Sequence, residues 1–344
     1  MATMLVTGGG GFIGSHAAEY FAQRGYTVRV FDNLSRSVLL KNNEDLNKNW
    51  YYLKTIKTIT LIKGDIRDAK AIEKAAKGCD VIVHAAAQTA VTVSLQNPAE
   101  DFSVNALGTF NTLEAARKNK VKTFIYCSTN KVFGDNVNTV PVKESGKRYS
   151  FGGAYTQGIP SHFSIDHCEH TPYGSSKLTG DIYVQDYSHL YGLRCGIFRM
   201  SCIYGTRQYG VADQGWLSWF VKATVLNKPL TIYGDGKQVR DVLFITDLLV
   251  LYEQFIKSTL TRGVYSVGGG SENTLSLLEL LDLLKKETGK LPPISYAPWR
   301  PSDQKVFIAD ISELQTVFGW KPKVGPVEGV KKLITWTKED LKIK

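Results

Sequence analysis

Met4–His16 reads MLVTGGGGFIGSH, a short apolar run that breaks into four consecutive glycines and resumes as an amphipathic segment. This is how a strand hands over to a helix around a phosphate. Gly8, Gly11 and Gly14 stand three residues apart. Side chains are therefore missing where the backbone turns tightly, meets a pyrophosphate and packs helix on sheet. A helix starting at Phe12 and Ile13 aims its free N–H groups and positive dipole end at the anion. The same letters also fit Gly9-x-Gly11-x-x-Gly14, which leaves the glycine register open. The plain alternative is a glycine-rich turn without a ligand.

Outward from that turn, Thr27–Asp32 reads as a second strand ending in an acid, at the distance expected for a grip on a ribose diol. The Asp32 carboxylate argues for NAD, because it repels the 2′-phosphate of NADP. Arg36 argues the other way, since a guanidinium accommodates that phosphate. Segments Ile59–Lys63, Ala69–Lys77, Val81–Ala85, a helix around Phe102–Asn119 and Thr123–Ser128 continue the alternation of strand and helix. The expected fold class is α/β, a Rossmann-type doubly wound parallel sheet with a smaller C-terminal α/β substrate domain. Residues 1–205, with 241–267 returning, are expected to form the cofactor domain, and 206–240 and 268–344 the second. Polar residues collect at the expected strand ends: Thr7–Gly14, Asp32-Asn33, Asp65-Ile66, Ala85–Gln88 and Ser128-Thr129-Asn130. Two stretches fall outside the rhythm. Asn33–Thr58, rich in asparagine and lysine, reads as a surface excursion, and Asn136–His170 as a lid or substrate-facing loop.

The 344 residues are 43% hydrophobic, ample for a packed core. No apolar stretch approaches the length of a membrane span, and the first strand starts too early to leave room for a signal peptide. A cytoplasmic protein without a membrane partner is expected. Five cysteines, odd in number and without a C-x-x-C pair, suit reduced thiols. The formal charge of +10 raises the question of a nucleic-acid partner. The lysines are dispersed among acids, so a solvated surface is expected and no nucleic acid. His162, His167, Cys168 and His170 are zinc-ligand types, but their spacing fits no zinc framework and no metal is expected.

Chemistry enters with Tyr173 and Lys177. Their i, i+4 spacing stacks both side chains on one helix face. A free tyrosine is a poor base at neutral pH. An adjacent ammonium and a positive nicotinamide favour its phenolate, so Tyr173 can take a hydroxyl proton while hydride leaves the same carbon. Lys177 can also hold the nicotinamide ribose, and Thr129, at a strand end, can hydrogen-bond the substrate hydroxyl. For a diphosphate, Arg240 and Arg300 offer guanidinium forks, with Asp303 for the nucleotide ribose. Trp216 flanks the substrate with Phe220, unless the pair is plain core. Gln88, Asn130, Lys131 and Gln208 complete the expected substrate set.

FDNLSR (Phe31–Arg36), STNKVFGD (Ser128–Asp135), PYGSSK (Pro172–Lys177), DQGWLSWF (Asp213–Phe220), GDGKQVRDVL (Gly234–Leu243) and SDQKVFIADI (Ser302–Ile311) carry a resemblance over the whole chain. It resembles the extended short-chain dehydrogenase/reductase family of nucleotide-sugar enzymes, and within it the branch acting at C2 of CDP-bound dideoxyhexoses. The resemblance implies Tyr173 as base and acid, Lys177 as its partner and Thr129 as the hydroxyl-binding residue. For NAD it implies Gly8, Gly11, Gly14, Asp32, Asn33, Asp65, Ile66, Ala85, Ala87 and Asn105. It further implies an epimerisation through a ketone with tightly held NAD, a nucleotide-sugar substrate, and a homodimer or homotetramer paired through two helices of the cofactor domain. Similar 4,6-dehydratases place Asp-Glu directly after the threonine. Here Asn130-Lys131 stand there, and an amide cannot serve as the acid of a dehydration. Arg199-Met200-Ser201-Cys202 replaces a segment in which relatives carry an asparagine, and Cys202 receives no role. Two alternatives stay open: a C4 epimerase of UDP- or CDP-hexoses, and a non-catalytic dinucleotide sensor.

Overall fold

The computed structural model describes residues 1–39, 47–300 and 303–343. The chain begins with β1 (Thr3–Thr7), α1 (Phe12–Ala22), β2 (Thr27–Asp32), α2 (Arg36–Leu39), α3 (Lys48–Lys54), β3 (Ile59–Lys63) and α4 (Ala69–Ala76). Then come β4 (Val81–His84), α5 (Val91–Gln96), α6 (Pro98–Phe102), a π-helical turn (Ser103–Leu107), α7 (Gly108–Lys118) and β5 (Thr123–Thr129). A hairpin of β6 (Val142–Ser145) and β7 (Arg148–Phe151) precedes α8 (Pro172–Tyr191), β8 (Arg194–Met200), β9 (Cys202–Tyr204) and α9 (Trp216–Leu226). Next are β10 (Leu230–Tyr233), β11 (Val239–Phe244), α10 (Ile245–Lys257), β12 (Arg262–Val267) and β13 (Thr274–Ser276). The chain closes with α11 (Leu277–Thr288), β14 (Ile294–Ala297), β15 (Val306–Phe307), α12 (Ser312–Phe318) and α13 (Pro326–Asp340).

Seven strands form one sheet in the order β12-β8-β5-β4-β1-β2-β3. The β1–β2, β2–β3, β1–β4 and β4–β5 pairs are parallel, with Thr7 opposite both Phe31 and His84. Every residue of β4 and β5 is buried, as expected of parallel strands covered on both faces. The class is the α/β doubly wound sheet that the opening motif indicates. Strand order reverses between β1 and β4, and that reversal opens a crevice beyond their C-terminal ends. Thr7, Asp32, His84 and Thr129 end β1, β2, β4 and β5, which brings them to one edge.

The fold divides into two compact units. The first holds Met1–Val132, Thr171–Arg199 and Leu249–Val264; the second Phe133–His170, Met200–Leu248 and Tyr265–Lys344. In the first, Leu5, Ile82, Leu113, Phe124 and Ile197 belong to one continuous apolar core. In the second, β11 pairs with β9, β13 and β15, while β10 and β14 form a separate parallel pair. The rhythm of the sequence groups 136–170 and the start of 241–267 with the cofactor domain. In the fold, Phe133–His170 and β11 group with the second unit.

Two local expectations are corrected. The stretch 33–58 is more than a surface excursion: α3 packs on α1 and β3, with Leu53 fully buried and Asn49 nearly so. Burial of that one leucine anchors an otherwise polar segment, whose middle, 40–46, lies outside the described residues. The single helix expected around Phe102–Asn119 is instead α6, a π-helical turn and α7. It starts earlier because Asn97 caps α6, accepting the Glu100 N–H, with Pro98 in the first turn. Among the described residues, no helix is long and apolar enough to cross a membrane.

Candidate active site

The glycine turn shows which glycines the backbone needs. Gly8 lies at φ +69°, and a Cβ on it would stand 2.5 Å from the Ala86 nitrogen. A Cβ on Gly14 would stand 2.3 Å from the Gly8 carbonyl oxygen, and one on Gly11 3.2 Å from the same atom. A Cβ on Gly9 would stand 2.3 Å from Cγ1 of the fully buried Val30, so that position too has no room for a side chain. Main-chain contacts thus leave no room at Gly8 and Gly14, and a tight fit at Gly11. Gly11 caps α1 without a side-chain bond, so Phe12, Ile13 and Gly14 offer first-turn amides that no cap engages. Open amides at a positive dipole end make a cradle for a diphosphate.

Asp32 accepts the N–H groups of Gly10 (2.8 Å) and Leu34 (2.7 Å). Burial raises its carboxyl pKa, while these two bonds and the nearby Arg36 charge oppose the rise. Asn33 donates its amide to Asp65 (2.9 Å), whose carboxyl is pulled down to about 2 chiefly by its hydrogen bond with Arg67. The Ile66 side chain lies against Gly108, 2.5 Å from where a Cβ would stand. Ala85 donates its N–H to the Thr7 carbonyl (3.1 Å), and Ala87 follows in the same strand-end segment. A half-buried carboxylate at the tip of β2 beside an open helix N-terminus fits the ribose and pyrophosphate of a dinucleotide.

Helix α8 carries Tyr173 and Lys177, the pair singled out in the sequence. Thr171 caps it by accepting the Gly174 N–H (3.3 Å), with Pro172 in the first turn. Tyr173 and Lys177 are both buried, and the Thr129 hydroxyl at the end of β5 stands near enough to the Tyr173 phenol to pull its pKa down. Thr129 Oγ1 also accepts the Lys131 N–H (3.3 Å) and lies 3.4 Å from Asn130 Oδ1. The sequence suggests that the Lys177 ammonium favours the phenolate directly. Instead its hydrogen bond goes to the Cys127 carbonyl (2.7 Å), with Nζ 4.2 Å above the Tyr126 ring. A desolvated ammonium takes the nearest carbonyl and π-face available. Burial accordingly pushes Tyr173 up to about 12, against the pull of the neighbouring Thr129 hydroxyl, and Lys177 down to about 8.

Behind this face lies a polar network of which the sequence indicates Gln88 and Asn105 but misses Asp101, Ser176, Asp181 and Arg199. Asn105, held in the π-helical turn, accepts the Gln88 N–H and donates to the Gln88 carbonyl, both at 2.9 Å. The Gln88 amide itself is committed to Ala90 (2.6 and 3.0 Å) and Asp101 (2.7 Å). Asp101 also takes the Ser176 hydroxyl (2.5 Å). Asp181, one turn beyond Lys177, receives Ser128 Oγ (2.6 Å) and both forks of Arg199 (3.0 and 3.1 Å). The one signal in the letters is the i, i+4 spacing of Asp101 and Asn105, which no motif marks.

The remaining expected residues sit in the second unit. Arg240 pairs with Asp303 (2.7 Å) and donates to the Gln304 carbonyl (2.7 Å). Arg300 lies 4.1 Å above the Tyr233 ring and pairs with Asp213 (3.4 Å). Trp216 meets Phe220 edge to face at 5.9 Å. Gln208 donates to the Ile203 carbonyl (3.0 Å), and its own Oε1 is buried without a partner. Asn138, Trp299, Asp303 and Lys305 line a cavity of about 300 Å³. Burial pushes the Cys202 thiol up to about 12, which removes it as a nucleophile at neutral pH. Cys168 Sγ lies 3.4 Å from His170 Nε2. Among the described residues no three metal-ligating side chains are grouped.

Comparison with known proteins agrees with this geometry. Residues 4–268 match the NAD dependent epimerase/dehydratase family. CDP-paratose 2-epimerase of Salmonella typhi is 38% identical over 97% of this chain and 98% of its own. A putative UDP-glucose 4-epimerase of Methanocaldococcus jannaschii is 30% identical over 98% and 99%. The crystal structure of UDP-glucose 4-epimerase from Thermotoga maritima with UDP-glucose superimposes with a TM-score of 0.81 at 29% identity, covering 98% of this chain and 99% of that one. With its glycine cradle, its Asp32 and its Tyr173–Lys177 helix, the chain belongs to the NAD dependent epimerase/dehydratase family of nucleotide-sugar enzymes, and its cofactor is NAD.

Proposed function

We propose that the chain inverts C2 of a CDP-bound dideoxyhexose, interconverting CDP-paratose and CDP-tyvelose. NAD, when bound, supplies reversible acceptance of hydride from the sugar carbon that bears the reacting hydroxyl. The chain's own residues do the rest. Gly8, Gly11 and Gly14, with the amides of Phe12 and Ile13, hold the pyrophosphate. Asp32 takes a ribose diol beside Asn33 and Arg36, and Asp65, Ile66, Ala85, Ala87 and the loop braced by Asn105 line the remainder. Tyr173 removes the sugar hydroxyl proton at its phenol oxygen and later returns it. Thr129 orients the same hydroxyl, and Lys177 holds a ribose while keeping positive charge beside the phenol. Arg240 and Arg300 meet the diphosphate by exchanging Asp303 and Asp213 for phosphate oxygens, and Asp303 is then free for the nucleotide ribose. Trp216, Gln208, Asn130 and Lys131 complete the substrate contacts, while the expected contact at Gln88 gives way to a bracing role, since its amide is spent on Ala90 and Asp101. The protein works as a homodimer or homotetramer in the cytoplasm, where its free cysteines stay reduced.

The observation that carries the reading is the buried Tyr173–Lys177 pair with Thr129 beside the phenol at the edge where the strands end, and Asn130 rather than an acid next in line. A dehydratase needs an acid there. The C2 assignment draws on the Salmonella typhi relative. The C4 alternative draws on the Thermotoga maritima and Methanocaldococcus jannaschii likenesses. Incubating the enzyme with CDP-paratose, CDP-glucose and UDP-glucose in deuterated water, with NMR of the products, separates them. We expect inversion at C2 of CDP-paratose without deuterium at carbon. Inversion only at C4 of a hexose would replace this reading. Tyr173→Phe should lower kcat by about a hundredfold or more with bound NAD unchanged.

A further inference from the structure

One buried carboxylate behind the reactive face has no cation on it. Asp101 is fully buried and accepts hydrogen bonds from Ser176 Oγ (2.5 Å), Gln88 Nε2 (2.7 Å) and Asn105 Nδ2 (3.1 Å). Among the described residues, no ion pair reaches it; burial raises its carboxyl pKa, and the Ser176 and Gln88 bonds and the Lys177 charge hold it towards the ionised form. Asp181 is different, because Arg199 neutralises it with two bonds. Ser176 lies between Tyr173 and Lys177 in α8, so its bond to Asp101 ties that helical turn to α6. Gln88 and Asn105 tie the same carboxylate to the loop after β4.

We propose that Asp101 is a positioning residue of the active site: through Ser176 it fixes the Tyr173–Lys177 turn against the loop at Gln88, and its carboxylate charge sets the pH range in which the pair works. This rests on the reading of Tyr173 as acid and base.

The groups facing the pair define the sign. Tyr173 is faced by Thr129 and Cys127 from β5 and by Asp101 from α6. Lys177 is faced by Cys127, by Asp101 and by Asp181 of its own helix, and its charge reaches His84 of β4. A carboxylate repels a phenolate and attracts an ammonium, so Asp101 pushes both titrations upward. Removing its charge moves both to lower pH.

Asp101→Asn keeps the shape. Its amide can donate to Ser176 Oγ, whose proton then turns to the Tyr173 carbonyl, 3.2 Å away. In the NAD-loaded enzyme, both limbs of the kcat/KM profile should move to lower pH by about half a unit or more. The phenol absorbance titration, read as the difference between Asp101→Asn and the same variant carrying Tyr173→Phe, should move likewise. Ser176→Ala keeps the charge but cuts the tether. There we expect kcat to fall about tenfold or more, with the limbs at their original pH. Limbs and phenol titration that stay in place in Asp101→Asn overturn the electrostatic role, and unchanged kcat in Ser176→Ala overturns the positioning role. If the amide does not fold, Asp101→Ser removes the same charge and gives the same readout. Turnover retained in Tyr173→Phe would instead remove the catalytic reading, leaving the phenol titration as the test of Asp101.

Discussion

At the scale of single residues, the sharpest constraint is Gly8. Its positive φ disfavours any L side chain, and its hydrogen bond to the Phe31 carbonyl (2.9 Å) fixes where it sits. The Ala86 backbone fills the space a Cβ would need. Gly8→Ala should therefore combine left-handed strain of about 1–2 kcal/mol with a main-chain collision, and displace the cradle. Gly25 is the control, with φ +84° and nothing within 4 Å of a Cβ. We expect Gly25→Ala to lower the melting temperature slightly and keep its NAD, and Gly8→Ala to emerge from purification without NAD. Equal NAD content in the two variants would show that the turn does not depend on Gly8. This constraint was legible in the letters, although the competing Gly9 register was not excluded by them. What makes Gly8 obligatory is contact with a residue 78 positions away, Ala86.

At the scale of elements, β1 to β5 and α1 lie close to where the alternation of apolar runs puts them, because strands buried on both faces leave continuous apolar letters. The π-helical turn was not legible. It exists because Asn105 must meet Gln88 and Ser176, partners 17 and 71 residues away, and no local pattern encodes such distances. The Asp101 network was hidden for the same reason: its bond to Ser176 spans 75 residues. Tyr173 and Lys177 were legible because a helix brings i and i+4 together by itself. The outer faces of α7 and α8 raise a further point. Phe110, Ile182, Tyr183 and Tyr191 are exposed there, with Phe110 and Tyr183 edge to face at 5.7 Å. Aromatic side chains clustered on two adjacent helices suit a self-association surface. Phe110→Glu combined with Tyr183→Glu should convert the proposed oligomer to a monomer in light scattering while leaving the melting of the monomer cooperative. A mass unchanged from that of the parent protein would move the interface elsewhere.

At the scale of the whole molecule, two buried titratable groups set opposing dependences of stability on pH, one in each unit. Burial pulls His84 down to about 3, with the Lys177 charge adding to it. The unfolded chain takes up a proton below about 6.5 that the folded one refuses, so this contribution to stability is lost as pH falls towards 3. Asp241 has the opposite sign. Burial pushes its carboxyl up to about 7, against bonds from Ser201 and from the Gly270 (3.2 Å) and Ala309 (3.1 Å) amides. The folded chain keeps a proton that the unfolded one releases above about 4, so stability is present below that pH and is lost as pH rises through 7. Asp241→Asn removes this second slope. The amide oxygen can accept from Gly270 and Ala309 while its N–H donates to Ser201, whose own proton has the Asp241 carbonyl at 3.3 Å. We expect the melting temperature of Asp241→Asn, relative to the parent protein, to climb between pH 4 and 7 and then level off. At pH 8 the variant should be the more stable by on the order of 2 kcal/mol, the desolvation cost it no longer carries less the charge-assisted bonds it gives up. A difference that does not change with pH would mean that Asp241 is ionised at no cost in the fold, and that the alkaline slope arises elsewhere.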